Sequence, residues 1–341
     1  MNRRTLVILA ALACMAVTAL PLSAQISKTG TTAAKFLAIP VGPRAVAMGG
    51  AFSAVTDDAS AMYWNPSGLA FATQNEAIVS HSEWIADLNF NYGGVILPIP
   101  EFGTLGVNIT SLTMGEMERT TETSPDGTGE FFNASSVAIG LSYARNLTDW
   151  FAVGVNFKYI NETIWNSSAS GFAVDFGTIF ETPFDGLKFA AVMSNFGDKM
   201  QLSGDDLLVQ KDISPQAGNN PNINANLSTD RFDIPLNLRI GFSYEVLKSA
   251  SQALIVALDA TYPNDNSENL SIGAEYSAFN DLISLRAGYR GIGMQDSEES
   301  FTVGGGIRYG IVGNLGVKVD YAFQDFGRLK DVHQFALGIL F

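Results

Sequence analysis

The residues of this 341-residue chain that could carry acid–base, metal or nucleophilic chemistry are few. Asp57 and Asp58 are adjacent, so they could act as a general acid pair or as ligands of a calcium ion. The chain has two histidines, His81 and His333. Neither histidine lies in a serine–aspartate or carboxylate pattern of the hydrolytic type. Two histidines in a mature chain without cysteine also disfavour a zinc site.

The remaining candidate motif is a run of three glycines, Gly304, Gly305 and Gly306. It lies within a strand-like pattern and lacks the following helix that a phosphate-binding loop requires. For the acid pair, the simpler interpretation is a cap and dipole partner of a short helix, which Thr56 or Asp57 would begin. We therefore predict a protein that is not an enzyme and that binds no cofactor and no metal.

The first residues are typical of an export signal. Residues 6–20 form an apolar run, and residues 22–24 form a small-residue cleavage site. We predict that residues 1–24 are a signal peptide and that the mature chain begins at Gln25. A retained membrane anchor is the alternative, although the run is short for a helical span. Cys14 lies inside the signal, so the mature chain would lack disulfides and thiolate metal sites.

The charge balance disfavours nucleic acid as a partner, and the hydrophobicity favours a protein that lies in a membrane. Without Arg3 and Arg4 of the signal, 34 acidic residues stand against 18 basic ones, whereas phosphate binding needs clustered Lys and Arg. Hydrophobic residues make up 47% of the chain, yet no later apolar run reaches the ~18 residues of a helical span. The hydrophobicity must therefore be hidden in alternation, which is typical of a transmembrane β-barrel in a Gram-negative outer membrane.

From residue 75 onward, apolar residues alternate with small or polar ones in fourteen segments. Each segment has about the length that a tilted membrane-spanning strand needs. The sequence therefore predicts an all-β fold, a 14-stranded antiparallel transmembrane β-barrel over residues 75–341. The predicted strands are residues 77–83, 90–97, 104–112, 137–144, 151–160, 171–180, 187–196, 236–245, 254–262, 270–276, 283–290, 301–309, 315–324 and 333–341.

A soluble β-sandwich would also alternate, with its apolar face inward, and three features favour the barrel. Every second connection is short, whereas the others are mostly longer, as in outer-membrane barrels. Most of the net charge sits in the long connections. Their acidic residues are either simply solvated, or they bind calcium or set the electrostatics of an anionic surface. The last strand alternates up to a terminal Phe341, which resembles the signal that barrel-insertion machinery recognises. The long connections are residues 113–130, 161–170, 197–235, 263–269 and 291–299.

The stretch before the strands has a different composition. Residues 25–35 are small and polar, as in a flexible lead-in, and residues 36–72 are dense in Gly, Ala and small apolar side chains. Pro40 and Pro43 prevent a long helix there. We predict that residues 25–74 form this lead-in and a hatch of short helices that plugs the barrel. The hatch motif comprises Arg44, Gly49, Gly50, Asp57, Asp58, Tyr63, Trp64, Asn65 and Pro66.

Ionisable residues occupy predicted inward positions on many strands. Charge inside a lumen is costly unless it is paired or wetted, so we expect cross-strand pairs, with Arg239 beside Asp259 and Glu275 beside Arg286. A substrate path is the alternative interpretation. Small inward residues such as Gly154 leave room for a hatch to pack closely. The predicted lumen charges are Lys158, Asp175, Arg239, Asp259, Glu275, Arg286, Arg308, Lys318 and Asp320.

The opening stretch resembles the PorV/PorQ family of outer-membrane proteins, within the wider FadL-like barrel group. The residues that carry the resemblance are Phe36-Leu37, Pro40, Gly42, Arg44-Ala45, Met48-Gly49-Gly50-Ala51, Asp57-Asp58-Ala59 and Tyr63-Trp64-Asn65-Pro66-Ser67-Gly68-Leu69. The resemblance implies a fourteen-stranded barrel with an N-terminal hatch, set in outer-membrane lipid.

Two functions follow from the resemblance, and the hatch motif is common to both. Relatives of PorV serve the type IX secretion system, in which they take exported proteins from a translocon to the surface-attachment machinery. FadL-like relatives pass hydrophobic small molecules across the outer membrane. The first function implies a translocon and cargo proteins as partners, and the second implies a hydrophobic ligand. A purely structural barrel is the third interpretation.

Overall fold

The computed structural model describes residues 29–212, 223–249, 251–294 and 297–341, so the predicted signal peptide lies outside the described residues. Fourteen long strands pair antiparallel with their sequence neighbours. They are β1 (Glu76–Trp84), β2 (Leu88–Ile99), β3 (Gly103–Thr113), β4 (Ala134–Thr148), β5 (Phe151–Ile164), β6 (Ser167–Glu181), β7 (Leu187–Gly197), β8 (Asn237–Lys248), β9 (Gln252–Pro263), β10 (Asn269–Ala278), β11 (Ile283–Ile292), β12 (Phe301–Val312), β13 (Leu315–Gln324) and β14 (Val332–Leu340).

The sheet closes on itself because β14 pairs with β1, in the register that places Glu76 opposite Leu340 and Ser82 opposite Gln334. Closure leaves no unpaired edge, which is the condition for a sheet to span a lipid bilayer. The fourteen predicted strands are thereby confirmed as a 14-stranded barrel. No helix in the described part of the chain is long and apolar enough to cross a membrane.

The apolar faces of the strands point away from the barrel axis. In β14, burial alternates strictly along the strand; Phe335 and Leu337 are exposed on the outside, whereas Gln334 and Ala336 are buried inside. This is the reverse of a soluble sandwich, which would bury its apolar face. The outward band of Val, Ile, Leu, Phe and Tyr is the surface that lipid would cover.

The connections differ in length between the two ends of the barrel, and one prediction about them is wrong. Residues 161–170 are not a long loop, because β5 and β6 continue to the pair Ile164–Ser167 and leave a two-residue turn. The alternation of apolar residues stops before the pairing does, since strands that rise above the bilayer carry polar side chains on both faces. We call the end with the short turns the inner rim and the other the outer rim.

Residues 33–72 lie inside the barrel as the hatch and contain two short α-helices, α1 (Pro43–Ala47) and α2 (Ala61–Trp64). Two 3₁₀ turns, Lys35–Ala38 and Pro66–Phe71, flank them. Gly49 and Gly50 follow α1 with φ of 66° and 77°, a conformation that stops the helix and favours glycine. The prediction of a helix capped by Thr56 or Asp57 is wrong, because α2 begins only at Ala61.

The hatch runs from one rim of the barrel to the other. Near its beginning, the Lys35 ammonium and the Thr32 hydroxyl each lie 2.6 Å from an oxygen of Asp265 in the β9–β10 connection at the outer rim. Near its end, the Ala70 carbonyl accepts a hydrogen bond from Asn146, beside the β4–β5 turn at the inner rim. The hatch therefore traverses the whole lumen before the chain enters β1.

Glycines on the inner wall let the hatch backbone approach the strands. A Cβ at Gly154 would collide with the Pro66 carbonyl carbon, and one at Gly288 would collide with Gly49. Any larger residue at these positions would push the hatch out of place. The wall glycines that contact the hatch are Gly94, Gly106, Gly154, Gly177, Gly241, Gly273, Gly288 and Gly304.

Candidate functional site

Arg44 joins the hatch to the barrel wall through a buried ion pair. Its guanidinium Nε and Nη2 each lie 2.8 Å from a carboxylate oxygen of Glu275 on β10, a bidentate geometry. Its Nη1 lies 3.1 Å from Asp58 and also contacts the more exposed Asp57. The position of Arg44 in the first turns of α1, behind Pro43, fixes the direction of this side chain.

The ion pairs continue along the wall from Glu275. Arg286 on β11 lies 2.5 Å from Glu275 and 2.5 Å from Asp320 on β13. Lys318, also on β13, lies 2.8 Å from Glu76 at the start of β1. These side chains are at most 12% exposed, so the ion-pair partners have to compensate each charge for its lost hydration.

Asp58 joins the two halves of this network, and its role differs from the predicted one. Its carboxylate lies 3.7 Å from Lys318, and its other oxygen accepts hydrogen bonds from the amide and hydroxyl of Ser60. Burial alone would raise the pKa of Asp58, but Lys318 and Arg44 hold that pKa well below its ordinary value. The acid pair of Asp57 and Asp58 is therefore an ion-pair partner, and the prediction that it caps a helix is wrong.

Asn65 fixes the turn between α2 and the second 3₁₀ turn. Its side-chain amide donates to the Ser53 carbonyl at 2.8 Å and to the Thr178 carbonyl of β6 at 3.3 Å. Its carbonyl oxygen accepts from the Ser67 amide at 3.1 Å and from the Ser67 hydroxyl at 2.6 Å. The side chain is fully buried, so all of these polar groups would otherwise lack partners. Pro66 follows at the first position of the turn.

Trp64 and Tyr63 form the aromatic part of the hatch motif. The Trp64 indole N–H donates to the Val41 carbonyl at 2.7 Å, and its ring packs edge-on against Tyr63. Arg239 of β8 lies over the Trp64 ring, 4.7 Å from its centroid. The Tyr63 hydroxyl donates to the Leu37 carbonyl at 3.2 Å, which links two turns of the hatch.

The predicted pairs among the wall charges form in one case and not in the other. Glu275 and Arg286 face each other across β10 and β11. Arg239 instead faces Thr261 and lies over Trp64. Asp259 accepts hydrogen bonds from the amides of Phe52 and Ser53 at 3.2 and 3.0 Å, because Gly241 opposite it leaves room for the hatch backbone.

The remaining wall charges divide into a buried pair and an exposed side chain. Lys158 on β5 lies 2.7 Å from Asp175 on β6, and Asp175 also accepts from Asn156 at 3.0 Å. Asn156 in turn donates to the Met62 carbonyl of the hatch at 3.1 Å. Arg308, predicted as a lumen charge, faces Lys318 across β12 and β13 but is exposed.

This arrangement binds the hatch electrostatically and offers no acid–base dyad open to a substrate. Among the described residues, no group of three or more His, Cys, Asp or Glu side chains is placed to hold a metal ion. The network therefore joins the hatch to four strands, and we call it the latch. It comprises Arg44, Asp58, Glu76, Glu275, Arg286, Lys318 and Asp320.

A second feature, which the sequence did not reveal, lies at the outer rim. An apolar recess of about 250 Å³ opens between the β3–β4 connection, the β5–β6 turn and the β7–β8 connection. We call it the outer recess. Its apolar lining consists of Phe132, Ile164, Trp165, Leu202 and Leu207. The signal that could have revealed it is the presence of large apolar residues inside otherwise polar connections.

Comparison with known proteins identifies one matching family. The sequence model of a family described as "Type IX secretion system protein PorV" matches residues 22–261. That span includes the hatch and most of the first nine strands. No curated protein matches the chain significantly in sequence.

Solved structures of similar fold include a FadL homologue, a toluene transporter and a hydrocarbon channel. A FadL homologue of Pseudomonas aeruginosa is 12% identical, with a TM-score of 0.55 over 89% of this chain and 98% of that one. The toluene transporter TbuX of Ralstonia pickettii is 14% identical, with a TM-score of 0.53 over 88% and 97%. The CymD monoaromatic hydrocarbon channel is 16% identical, with a TM-score of 0.57 over 89% and 97%. Likeness at these identities establishes a shared barrel fold.

Proposed function

Because the chain belongs to the family of type IX secretion system proteins described as PorV, we propose that it binds exported proteins at the outer membrane and passes them to the surface-attachment machinery. Its partners in this role are a secretion translocon and cargo proteins that carry a C-terminal signal. The observation that carries the proposal is the family match, which spans the hatch and most of the first nine strands.

The latch supports a role at the rims of the barrel. Arg44, Asp58 and Asn65 join the hatch to the wall through buried ion pairs and a hydrogen bond. A lumen filled in this way suits a protein that binds its partners at the rim. In a solute channel, by contrast, the same contacts would have to break in each transport cycle.

The experiment that tests the proposal is affinity purification of a tagged chain from outer membranes in mild detergent, after reversible cross-linking. We expect recovery of the translocon or of a defined cargo protein with its C-terminal signal, and no recovery of the same cargo without that signal. A tagged, unrelated outer-membrane barrel is the control. Recovery of neither partner, together with normal cargo secretion in a deletion strain, would count decisively against the proposal.

Transport of hydrophobic small molecules is the second candidate, and the shared fold with a toluene transporter and a hydrocarbon channel favours it. In that case the hatch would open, and replacing Trp64 or Asn65 would reduce uptake. We expect instead that a deletion strain takes up a monoaromatic hydrocarbon at the rate of the parent strain. Reduced uptake that the intact gene restores would support transport.

We further propose that export removes residues 1–24. N-terminal sequencing of the protein from outer membranes should then begin at Gln25 or at its cyclised form. A longer N-terminus that retains the apolar run at residues 6–20 would show a membrane anchor.

A further inference from the structure

We propose that the outer recess is the anchor point for an exported protein, and that it takes one large apolar side chain from a segment flanked by Lys or Arg. The inference rests on the proposed function, because it assigns that function a surface and a recognition chemistry. It adds residues of the outer rim that do not belong to the hatch motif.

The size and lining of the outer recess fit a single side chain. Its volume of about 250 Å³ is below the ~300–1,000 Å³ of pockets that enclose a drug-sized ligand. Phe132 and Trp165 lie beside each other in the lining, with ring centroids 6.4 Å apart, and Leu207 belongs to the same lining. Apolar anchors buried in such recesses commonly supply most of the binding energy of a protein interface.

The floor of the outer recess is held in place before any partner arrives. Asp206 accepts hydrogen bonds from the Asn166 amide at 2.9 Å, the Asn166 side chain at 3.1 Å and the Ser167 hydroxyl at 3.0 Å. These bonds tie the β7–β8 connection to the β5–β6 turn. The Trp165 amide donates to the Asn133 carbonyl at 3.0 Å, which ties the turn to the end of the β3–β4 connection. A preformed recess loses little entropy on binding.

The charge around the outer recess selects a basic partner. The β3–β4 connection, residues 114–133, has five acidic residues and one basic residue, Arg119. The β7–β8 connection, residues 198–236, has six acidic and three basic residues, so the two together carry a net charge of −7. Arg119, the base in the described lining of the recess, is already engaged, since it pairs with Glu130 and lies 5.2 Å from the Trp165 ring centroid.

An acidic rim distinguishes a basic polypeptide from an uncharged hydrocarbon. Opposite charge attracts the polypeptide during encounter and fixes its orientation, whereas a hydrocarbon gains nothing from it. The polypeptide should therefore bind less tightly as salt is added. The apolar anchor supplies a contribution that salt does not weaken.

The test uses the purified full chain in detergent micelles and short fluorescein-labelled peptides, with binding followed by fluorescence anisotropy. The probe has one central phenylalanine between lysines; matched peptides replace the phenylalanine by serine, or the lysines by glutamates. The variants are Trp165→Ser and Leu207→Ser. Leu329→Ser, at an exposed leucine of the β13–β14 connection, is the matched control.

We expect the phenylalanine–lysine probe to bind the parent chain and the control alike. Either recess variant should weaken it at least about tenfold, since the burial of one side chain is lost. The serine and glutamate peptides should bind at least as weakly. Equal affinity for the recess variants and the parent would overturn the proposal. The proposal would also be overturned by a second result, in which replacing the lysines by glutamates leaves the peptide's affinity unchanged and an uncharged naphthalene dye displaces the probe. The recess would then be a small-molecule site.

Recovery of the cross-linked cargo protein distinguishes a failure of this inference from a failure of the proposed function. Cargo recovered with the parent but lost with Trp165→Ser supports both. Cargo recovered equally with both chains overturns the outer recess as the anchor and leaves the secretion role intact. Recovery of neither cargo nor translocon with either chain, together with normal cargo secretion in a deletion strain, counts against the secretion role itself. Electrophoretic heat-modifiability of each variant checks that the barrel is folded.

Discussion

The replacement of Arg44 by methionine would show whether the latch holds the hatch. Methionine has a similar length and apolar stem, but it removes the two 2.8 Å contacts with Glu275 and the 3.1 Å contact with Asp58. Both carboxylates are buried, with side chains 5% and 6% exposed. The change therefore leaves two acids short of positive charge in the lumen.

The expected cost follows from what each acid retains. Removing one member of a buried ion pair typically costs ~3–5 kcal/mol. Glu275 keeps Arg286 at 2.5 Å, and Asp58 keeps Lys318 at 3.7 Å, so the low end of that range, about 3 kcal/mol, applies. Asp57 adds little, because its side chain is 53% exposed. A cost of about 3 kcal/mol raises the population of the open hatch roughly a hundredfold.

Hydrogen exchange measured by mass spectrometry gives the assay, because hatch amides exchange only when the hatch opens. Exchange of residues 44–69 should become about a hundredfold faster in Arg44→Met, while the amides of the barrel strands stay protected. Arg145→Met, at an exposed arginine of β4, is the control and should leave hatch exchange unchanged. The double variant Arg44→Met/Glu275→Gln should recover part of the protection, since it removes one negative charge from a network that has lost a positive one. Unchanged hatch exchange in Arg44→Met would refute the latch.

Three further outcomes are expected. Asn65→Ala loses its bonds to Ser53, Ser67 and Thr178, so hatch opening should cost about 2–3 kcal/mol less by the same exchange assay; unaltered exchange would contradict this. Gly154→Val should lower the yield of folded, heat-modifiable barrel, because its side chain would collide with the hatch; Gly310→Val, which meets no neighbour within 4 Å, should fold normally. Because the pKa of Asp58 is lowered in the folded protein, its stabilisation is complete above its ordinary pKa of about 4 and is lost only as the pH falls through the lowered value. The loss of hatch protection caused by Asp58→Asn should therefore be equal at pH 7 and at pH 5, and a smaller loss at pH 5 would contradict the assignment.

The barrel could be predicted from sequence because one physical rule governs each strand. Lipid on one side and the hatch or water on the other impose a period of two, which the fourteen segments display. The period of two ends near Ile160 and Gly171. Beyond these residues most of the paired positions of β5 and β6 are polar, so the sequence predicts a longer loop where the structure has a turn at Trp165 and Asn166.

The latch could be predicted only in part, because its partners come from distant parts of the chain. Glu275 and Arg286 lie on adjacent strands, so strand order alone brings them together. Arg44 and Glu275 are 231 residues apart, and no local pattern joins them. Asp259 shows the same limit, since the hatch backbone and not Arg239 supplies its partners. The composition of the hatch motif could be recognised in the sequence. Its bonds to the wall could not be predicted, because they form only when the barrel closes around it.

The path of the hatch determines how the lumen could ever be cleared. A segment held at the outer rim by Lys35 and continuing into β1 at the inner rim is threaded through a closed ring. Its C-terminal end continues covalently into β1, so the hatch stays tethered at the inner rim in any open state. Clearing the lumen therefore means breaking the outer-rim contact with Asp265 and the wall contacts of Arg44 and Asn65, while the displaced segment remains attached to the ring.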